Sequence, residues 1–267
     1  MFVNGKAIAA TIVDDVRKQV EQLTHSPVLS IVTCAPTQAT KQYLTLKERG
    51  ARSVGITVQR ISVPVTEHTK DVIRRVQEAT NVSDAVIVQL PLPKHIDTEM
   101  VLRAVPVEQD VDALAPNNEV YRSPVVEACR EILERHSVRV HGEPIAVVGY
   151  GRLVGEPVAK WLASQGGRVT VVTEETLNPE AVIKNATIVV LGVGRTGMIT
   201  PEQLRPGAVI LDAGASEQGG KIRGDADPAC ATIASLFTPV PGGIGPITVA
   251  ALLRNVVKAA QQNRGMG

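Results

Sequence analysis

The chain runs to 267 residues, 44% hydrophobic and 21% charged, and its 28 basic and 27 acidic side chains leave a net charge of +1. So even a balance argues against a broad electrostatic footprint for nucleic acid or an anionic membrane, and an aromatic content of 2% leaves little to stack on bases. No stretch has the apolar length needed to cross a bilayer, so the expected partner is a small molecule or a second copy of the chain.

In chain order, a first helical pattern carries Asp14 and Asp15, without a signal-peptide core. Val- and Ile-rich runs at 28–34, 57–63 and 85–90 read as strands, with amphipathic stretches at 41–53 and 66–80 between them. A segment rich in turn formers, "ALAPNNEVYRSP" (113–124), marks a boundary. Beyond it come an amphipathic stretch at 124–135 and strands at 144–149, 168–173, 187–192 and 207–214. The last helix, 247–262, follows a glycine-rich turn, "PVPGGIGP" (239–246), and can belong to either half. Strands alternating with helices of this length predict βαβ units, and strands apolar at consecutive positions, as at 188–191, predict parallel sheets covered on both faces. Cys34, Cys129 and Cys230 are far apart and lack metal-ligand spacing. Buried, inert thiols, no metal and a reduced, cytoplasmic setting are expected.

The stretch "AVVGYGRLVGEP" (146–157) sets Gly149, Gly151 and Gly155 after an apolar strand, the third glycine one residue later than GxGxxG requires. A strand ending at Gly149 and a helix starting near Leu153 would aim free backbone N–H groups at an anion. Glycines at strand-to-helix turns are also purely structural, so the pattern alone is weak. The next strand ends directly at Glu174 and Glu175, at the strand end where dinucleotide folds place the acid that accepts the adenosine ribose hydroxyls. A solvated acidic pair is the plainer alternative.

These residues resemble those of the methylenetetrahydrofolate dehydrogenase/methenyltetrahydrofolate cyclohydrolase family. "VVGYGRLVGEP" is similar to the family's VVGRSxxVGxP loop, in which the third glycine also comes late. "VNGKAIA" (3–9) resembles the family's opening, "ATKQYLTLKERGARSVGI" (39–56) its S-x-x-Y-x-x-x-K helix, and "VQLPLP" (88–93) is identical to its signature. "DVDA" (110–113) resembles DVDG and "TPVPGGIGPIT" (238–248) resembles TPVPGGVGPMT. The resemblance implies a two-domain α/β protein with folate in the cleft between domains. Residues 1–119 plus 247–267 would form the folate-binding catalytic domain, the C-terminal helix returning to it. Residues 120–246 would form a Rossmann-like NAD(P)-binding domain with a parallel sheet. The implied chemistry is oxidation of 5,10-methylenetetrahydrofolate with NADP or NAD, then hydrolysis of the methenyl product to 10-formyltetrahydrofolate. A homodimer is implied as well.

Tyr43 and Lys47, four apart, share one face of a helix. Spacing alone fits a surface lysine over an amphipathic tyrosine; the resemblance makes Lys47 the catalytic lysine and Tyr43 the ring packed on folate. Gln89, an amide inside an apolar strand, needs a partner or costs on the order of 1–3 kcal/mol. It would bond loop backbone or, by resemblance, orient Lys47, with Val88 and Leu90 beside it against the substrate. Asp112 suits an Asx-type turn; by resemblance it accepts the pterin N–H groups. Pro241, Gly242 and Gly243 terminate one segment or, by resemblance, lie beside folate and nicotinamide. For the cofactor the resemblance implies Gly149, Tyr150, Gly151, Arg152, Thr173, Glu174, Gly192 and Ala215.

The chain departs from the family at several of these positions. Tyr150-Gly151 replaces Arg-Ser, and "VTEET" (172–176) replaces C-H-S-x-T, putting Glu174 where a serine near the adenosine 2′-phosphate is expected. Losing an arginine and gaining Glu174 and Glu175 predicts a preference for NAD, with Arg152 or Arg195 the residues able to restore a phosphate contact. "YRSPVV" (121–126) replaces P-C-T-P-x-G, and Ala113 stands where the family has glycine. These changes leave room for a member with one activity, cyclohydrolase being the safer. Another NAD-dependent dehydrogenase, or a non-catalytic folate- or nucleotide-binding descendant, explains fewer of the residues.

Overall fold

The computed structural model describes residues 1–116 and 118–262, with the backbone alone at 38 and 39. The last five residues of the expected 247–267 segment lie outside the described residues. Two compact units emerge, one comprising Ala10–Pro124 and Val249–Gly267, the other Met1–Ala9 and Val125–Thr248.

In the first unit β1 (Val28–Cys34) lies between β2 (Thr57–Val63) and β3 (Ala85–Val88), all parallel. Consecutive apolar residues make β1 and β3 buried on both faces, as parallel strands covered by helices require. Helix α2 (Gln38–Ser53) connects β1 to β2, and α3 (Thr69–Thr80) connects β2 to β3. Helix α3 buries Val72, Val76 and Ala79, one stripe at helical spacing, and starts on a reciprocal cap between His68 and Asp71. The C-terminal helix α8 (Ile244–Gln262) returns to this unit from residue 249 on. Its Asn255 donates from Nδ2 to the carbonyls of Val111 (2.9 Å) and Arg122 (3.2 Å), and α2 approaches it at Gly50, where a Cβ would meet Val249 and Leu253 at 3.3 and 3.4 Å.

The second unit holds a five-stranded parallel sheet in the order β10-β7-β6-β4-β5, with β4 at Pro144–Val148, β5 at Arg168–Val172, β6 at Ile188–Leu191, β7 at Val209–Asp212 and β10 at Leu236–Phe237. From β4 the chain pairs β5 on one side and β6 on the other, so the strand order reverses there. In open α/β sheets ligands bind at the carboxyl ends of the strands at such a reversal. Strand β10 and a hairpin of β8 (Ser216–Gln218) and β9 (Lys221–Arg223) are absent from the sequence reading. β10 has only two residues, too few for a period, and the hairpin turns on Gly219-Gly220, both at positive φ (+59° and +74°), within a polar stretch.

The expected division placed residues 1–9 with the first unit, whereas they cluster with the second. Their backbone explains this. Val3 N–H donates to Phe237 O and Phe237 N–H to Met1 O, each at 2.9 Å, and the Phe2 and Phe237 rings meet edge to face at 5.7 Å. A Cβ on Gly5 would overlap the Gly243 carbonyl, so "VNGK" and "PVPGG" pack backbone to backbone.

At the β4 turn Gly149 has φ +88°, and a Cβ on Gly155 at the start of α6 (Gly155–Ser164) would overlap the Gly149 carbonyl oxygen. Gly155→Ala is therefore expected to lower stability by about 2–3 kcal/mol, the upper range for overpacking, read as a drop in the urea midpoint at unchanged slope.

Candidate active site

Helix α2 presents Lys47 inward, 4% exposed, one turn after Tyr43. Nζ lies 3.1 Å from Asp112 Oδ2, 3.4 Å from Gln89 Oε1 and 5.4 Å from the centre of the Tyr43 ring. The structure thus brings Tyr43, Lys47, Gln89 and Asp112 together within one unit. Gln89 follows β3, where its backbone N–H still bonds Val32 O (2.9 Å). Its Nε2 donates to the Leu90 carbonyl at 2.8 Å, which turns the amide oxygen toward the ammonium. Val88 is buried at the end of β3, Leu90 is partly buried, and the Leu90–Pro91 bond is cis.

The two acids of "DVDA" do different work. Asp110, 4% exposed, accepts through Oδ2 from Ala115 N–H (2.7 Å) and Asn118 Nδ2 (3.0 Å), which locks the turn. Burial, and secondarily the charge of Asp112, raises its carboxyl above the usual range. Asp112 points the other way, to Lys47. Spacing alone does not separate the two acids, because the Asp110 partners are loop backbone and a loop amide; the resemblance is what singles out Asp112. Burial first, then the Asp112 charge, also raises the Tyr43 phenol, so it stays neutral.

Ala113, next to Asp112, has φ +54°, the left-handed region that favours glycine. Ala113→Gly should relieve that strain and raise unfolding free energy by about 1 kcal/mol, measured by chemical denaturation; unchanged or lower stability would contradict the strain.

In the second unit the turn after β4 and the turn after β6 face each other. A Cβ on Gly149 would sit 2.9 Å from Val193 Cγ2 and 3.2 Å from Gly192 O, and one on Gly192 would press on Val154. Gly151 is exposed with open space where a Cβ would stand, and Tyr150 is 47% exposed. Arg152 is partly buried. Thr173, Glu174 and Glu175 are exposed beyond the end of β5. Thr173 N–H donates to Thr176 Oγ1 (2.9 Å) and Glu175 N–H to Thr173 Oγ1 (3.3 Å), so hydroxyls shape this acidic turn. Arg195 and Ala215 are exposed in the loops after β6 and β7. Pro241, Gly242 (φ +111°) and Gly243 belong to this unit, and a Cβ on Gly243 would lie 2.7 Å from Pro239 O. Cys34, Cys129 and Cys230 are buried, and burial pushes the Cys129 and Cys230 thiols up to about 12 and 11.

A lysine-centred polar cluster in one α/β unit and, in the other, a Rossmann-like sheet with a glycine-lined turn at its strand reversal define an α/β enzyme class built to handle a dinucleotide. The profile of the tetrahydrofolate dehydrogenase/cyclohydrolase catalytic domain matches residues 3–112, and that of the NAD(P)-binding domain matches residues 123–264. The chain belongs to the tetrahydrofolate dehydrogenase/cyclohydrolase family. It is 35% identical over 300 residues to the bifunctional protein FolD of Koribacter versatilis, covering 99% of this chain and 98% of the relative. Among solved structures it is similar to the Trypanosoma brucei N5,N10-methylenetetrahydrofolate dehydrogenase-cyclohydrolase complexed with NADP and an inhibitor (27% identity, TM-score 0.91, 99% and 98% of the two chains). It is also similar to the bifunctional enzyme of Thermoplasma acidophilum (28%, TM-score 0.89, 99% and 100%).

Proposed function

We propose that this enzyme oxidises 5,10-methylenetetrahydrofolate with a nicotinamide dinucleotide and hydrolyses the methenyl product to 10-formyltetrahydrofolate, with Tyr43, Lys47, Gln89 and Asp112 as its folate site. The observation that carries the reading is the buried ammonium of Lys47 held between Gln89 Oε1 and Asp112 Oδ2. An ammonium has three donors; two are engaged, and the third is left to address the substrate. In hydrolysis, water adds to the methenyl carbon and gives up a proton; the C–N bond to N5 then breaks as N5 is protonated and the hydroxyl loses its proton to become the formyl carbonyl. Lys47 polarises the reacting centre and relays protons during these steps. Gln89 holds the ammonium in place, Asp112 Oδ1 accepts the pterin N–H groups, and Tyr43 supplies the face on which the pterin packs.

The turn after β4 fits a dinucleotide pyrophosphate: Gly151 leaves the backbone uncovered, Gly149 lets the turn close against Gly192 and Val193, and Gly155 brings α6 against the strand end. When bound, the nicotinamide accepts the hydride from the methylene carbon. Arg152, Thr173, Gly192 and Ala215 complete the cofactor contacts, and Pro241, Gly242 and Gly243 line the substrate. The unit that holds Ala10–Pro124 binds folate, and the unit that holds Met1–Ala9 and Val125–Thr248 binds the dinucleotide. Glu174, Glu175 and Tyr150 select NAD over NADP. The family likeness alone supports a homodimer, and the three free, buried cysteines support a reduced, cytoplasmic setting. No described helix is long and apolar enough to cross a membrane.

The test is a spectroscopic assay of methylenetetrahydrofolate oxidation with NAD and with NADP, alongside methenyltetrahydrofolate hydrolysis. Turnover in both supports the reading. Hydrolysis without oxidation would mark a single-activity cyclohydrolase, and absence of both would overturn the assignment.

A further inference from the structure

The loop after β6 is built around a buried carboxylate that the folate and dinucleotide assignments leave unused. Asp225, 0% exposed, accepts through Oδ2 from the backbone N–H groups of Val193 (2.7 Å) and Gly194 (3.0 Å) and through Oδ1 from that of Arg195 (2.7 Å). Three successive amides on one anion form a nest, and Gly194 supplies the positive φ (+79°) that lets them converge. The Asp225 backbone is held in turn: Ile199 N–H donates to Asp225 O, and Gly197 N–H to Gly224 O, both at 3.1 Å. A second buried acid, Asp212 at the end of β7, accepts from Ala226 N–H (2.9 Å) and Gly214 N–H (3.0 Å), tying the 224–226 segment to the neighbouring strand. A Cβ on Gly214 would overlap the Asp225 carboxylate and one on Gly224 would overlap Asp212 Oδ2, so both acids are closely enclosed.

Burying two carboxylates side by side is costly. Burial, with the Asp225 charge adding, pushes the Asp212 carboxyl up to about 6. A neutral side chain could fill the same space, but only a carboxylate offers acceptors alone on both oxygens, the set that three convergent N–H groups need. The moulded segment is the wall opposite Gly149. Its outer face, Val193 to Arg195, is exposed at the strand reversal, and Val193 Cγ2 stands 2.9 Å from where a Gly149 Cβ would be.

We propose that Asp225 is a positioning residue for the dinucleotide: its carboxylate sets the shape of the 193–195 loop that forms one wall of the binding turn. This rests on the dinucleotide reading of that edge. The experiment measures NADH and NADPH binding by fluorescence, methenyltetrahydrofolate hydrolysis, and amide hydrogen exchange, on the full-length wild type, Asp225→Asn and Gly194→Ala. Asn replaces one acceptor with a donor facing the amides. Ala at 194 strains the nest where its Cβ meets nothing.

Asp225→Asn should weaken the tighter-bound dinucleotide about tenfold to a hundredfold and speed exchange at 193–195, while β4 and β6 stay protected and hydrolysis stays within about twofold. Gly194→Ala should act in the same direction severalfold, and it carries the test if the Asn variant does not fold. Unchanged dinucleotide affinity in both folded variants overturns the proposal, as does a parallel loss of hydrolysis, which would mean a general structural role. A wild type that binds neither dinucleotide removes the dinucleotide reading itself, and this inference with it.

Discussion

Lys47→Ala should lower methenyltetrahydrofolate hydrolysis by about a thousandfold, within the usual contribution of a positioned acid–base group. Lys47 is 4% exposed and its ammonium is bonded to Asp112 and Gln89, so truncation removes the proposed proton relay and leaves an amide oxygen and a carboxylate facing a cavity. Each unpaired group costs on the order of 1–3 kcal/mol, so some stability should be lost as well. The thermal midpoint must therefore be followed beside turnover, with assays run well below the variant's transition. Dinucleotide affinity should hold, because the binding turn lies in a separate compact unit. A folded Lys47→Ala enzyme that still hydrolyses at the wild-type rate would remove Lys47 from the mechanism. Lys47→Arg is the informative companion: the charge remains, but a planar fork replaces three tetrahedral donors. Turnover restored by arginine would assign the lysine an electrostatic role and not a proton-handling one.

The second large effect concerns the cofactor. The wild type is expected to show a kcat/KM for NAD at least about tenfold above that for NADP, since a like charge beside the 2′-phosphate costs on the order of 1–2 kcal/mol even when partly screened. Glu174 and Glu175 are exposed beyond β5, and Tyr150, also exposed, stands where the resemblance leads one to expect arginine. Glu174→Ser combined with Tyr150→Arg should therefore raise kcat/KM for NADP by about tenfold to a hundredfold and lower that for NAD, reversing the preference. A markedly higher kcat/KM for NADP in the wild type would overturn the preference and turn attention to Arg152 and Arg195 as phosphate partners.

Much of this architecture is legible in the sequence. The runs at 28–34 and 57–63 are strands over those same residues, and 124–135 is a helix over its whole span, because apolar repetition and a proline start are local signals. Helix α2 begins at Gln38, ahead of the expected 41, because the Thr37 side chain caps it by accepting from Thr40 N–H. The last helix begins at Ile244, ahead of the expected 247, since Gly245 and Pro246 fit its first turn. Strand β10 went unseen because two residues show no period; what makes them a strand is pairing with Val209 and Ile210, far away in sequence.

By itself the sequence determined the alternation of strands and helices, the glycine turn with its late third glycine, and the set of chemistry-bearing side chains at 43, 47, 89 and 112. Only the tertiary structure decided what those side chains meet. The Lys47 contacts span 42 and 65 residues of chain, and the Asp225 nest is closed by amides about 30 residues away. Periodicity and turn chemistry reach only a few residues along the chain. An ion pair or a carboxylate nest is set by the sheet order and loop ends that carry its partners into place, which is why Asp110 and Asp112, two residues apart, take opposite roles.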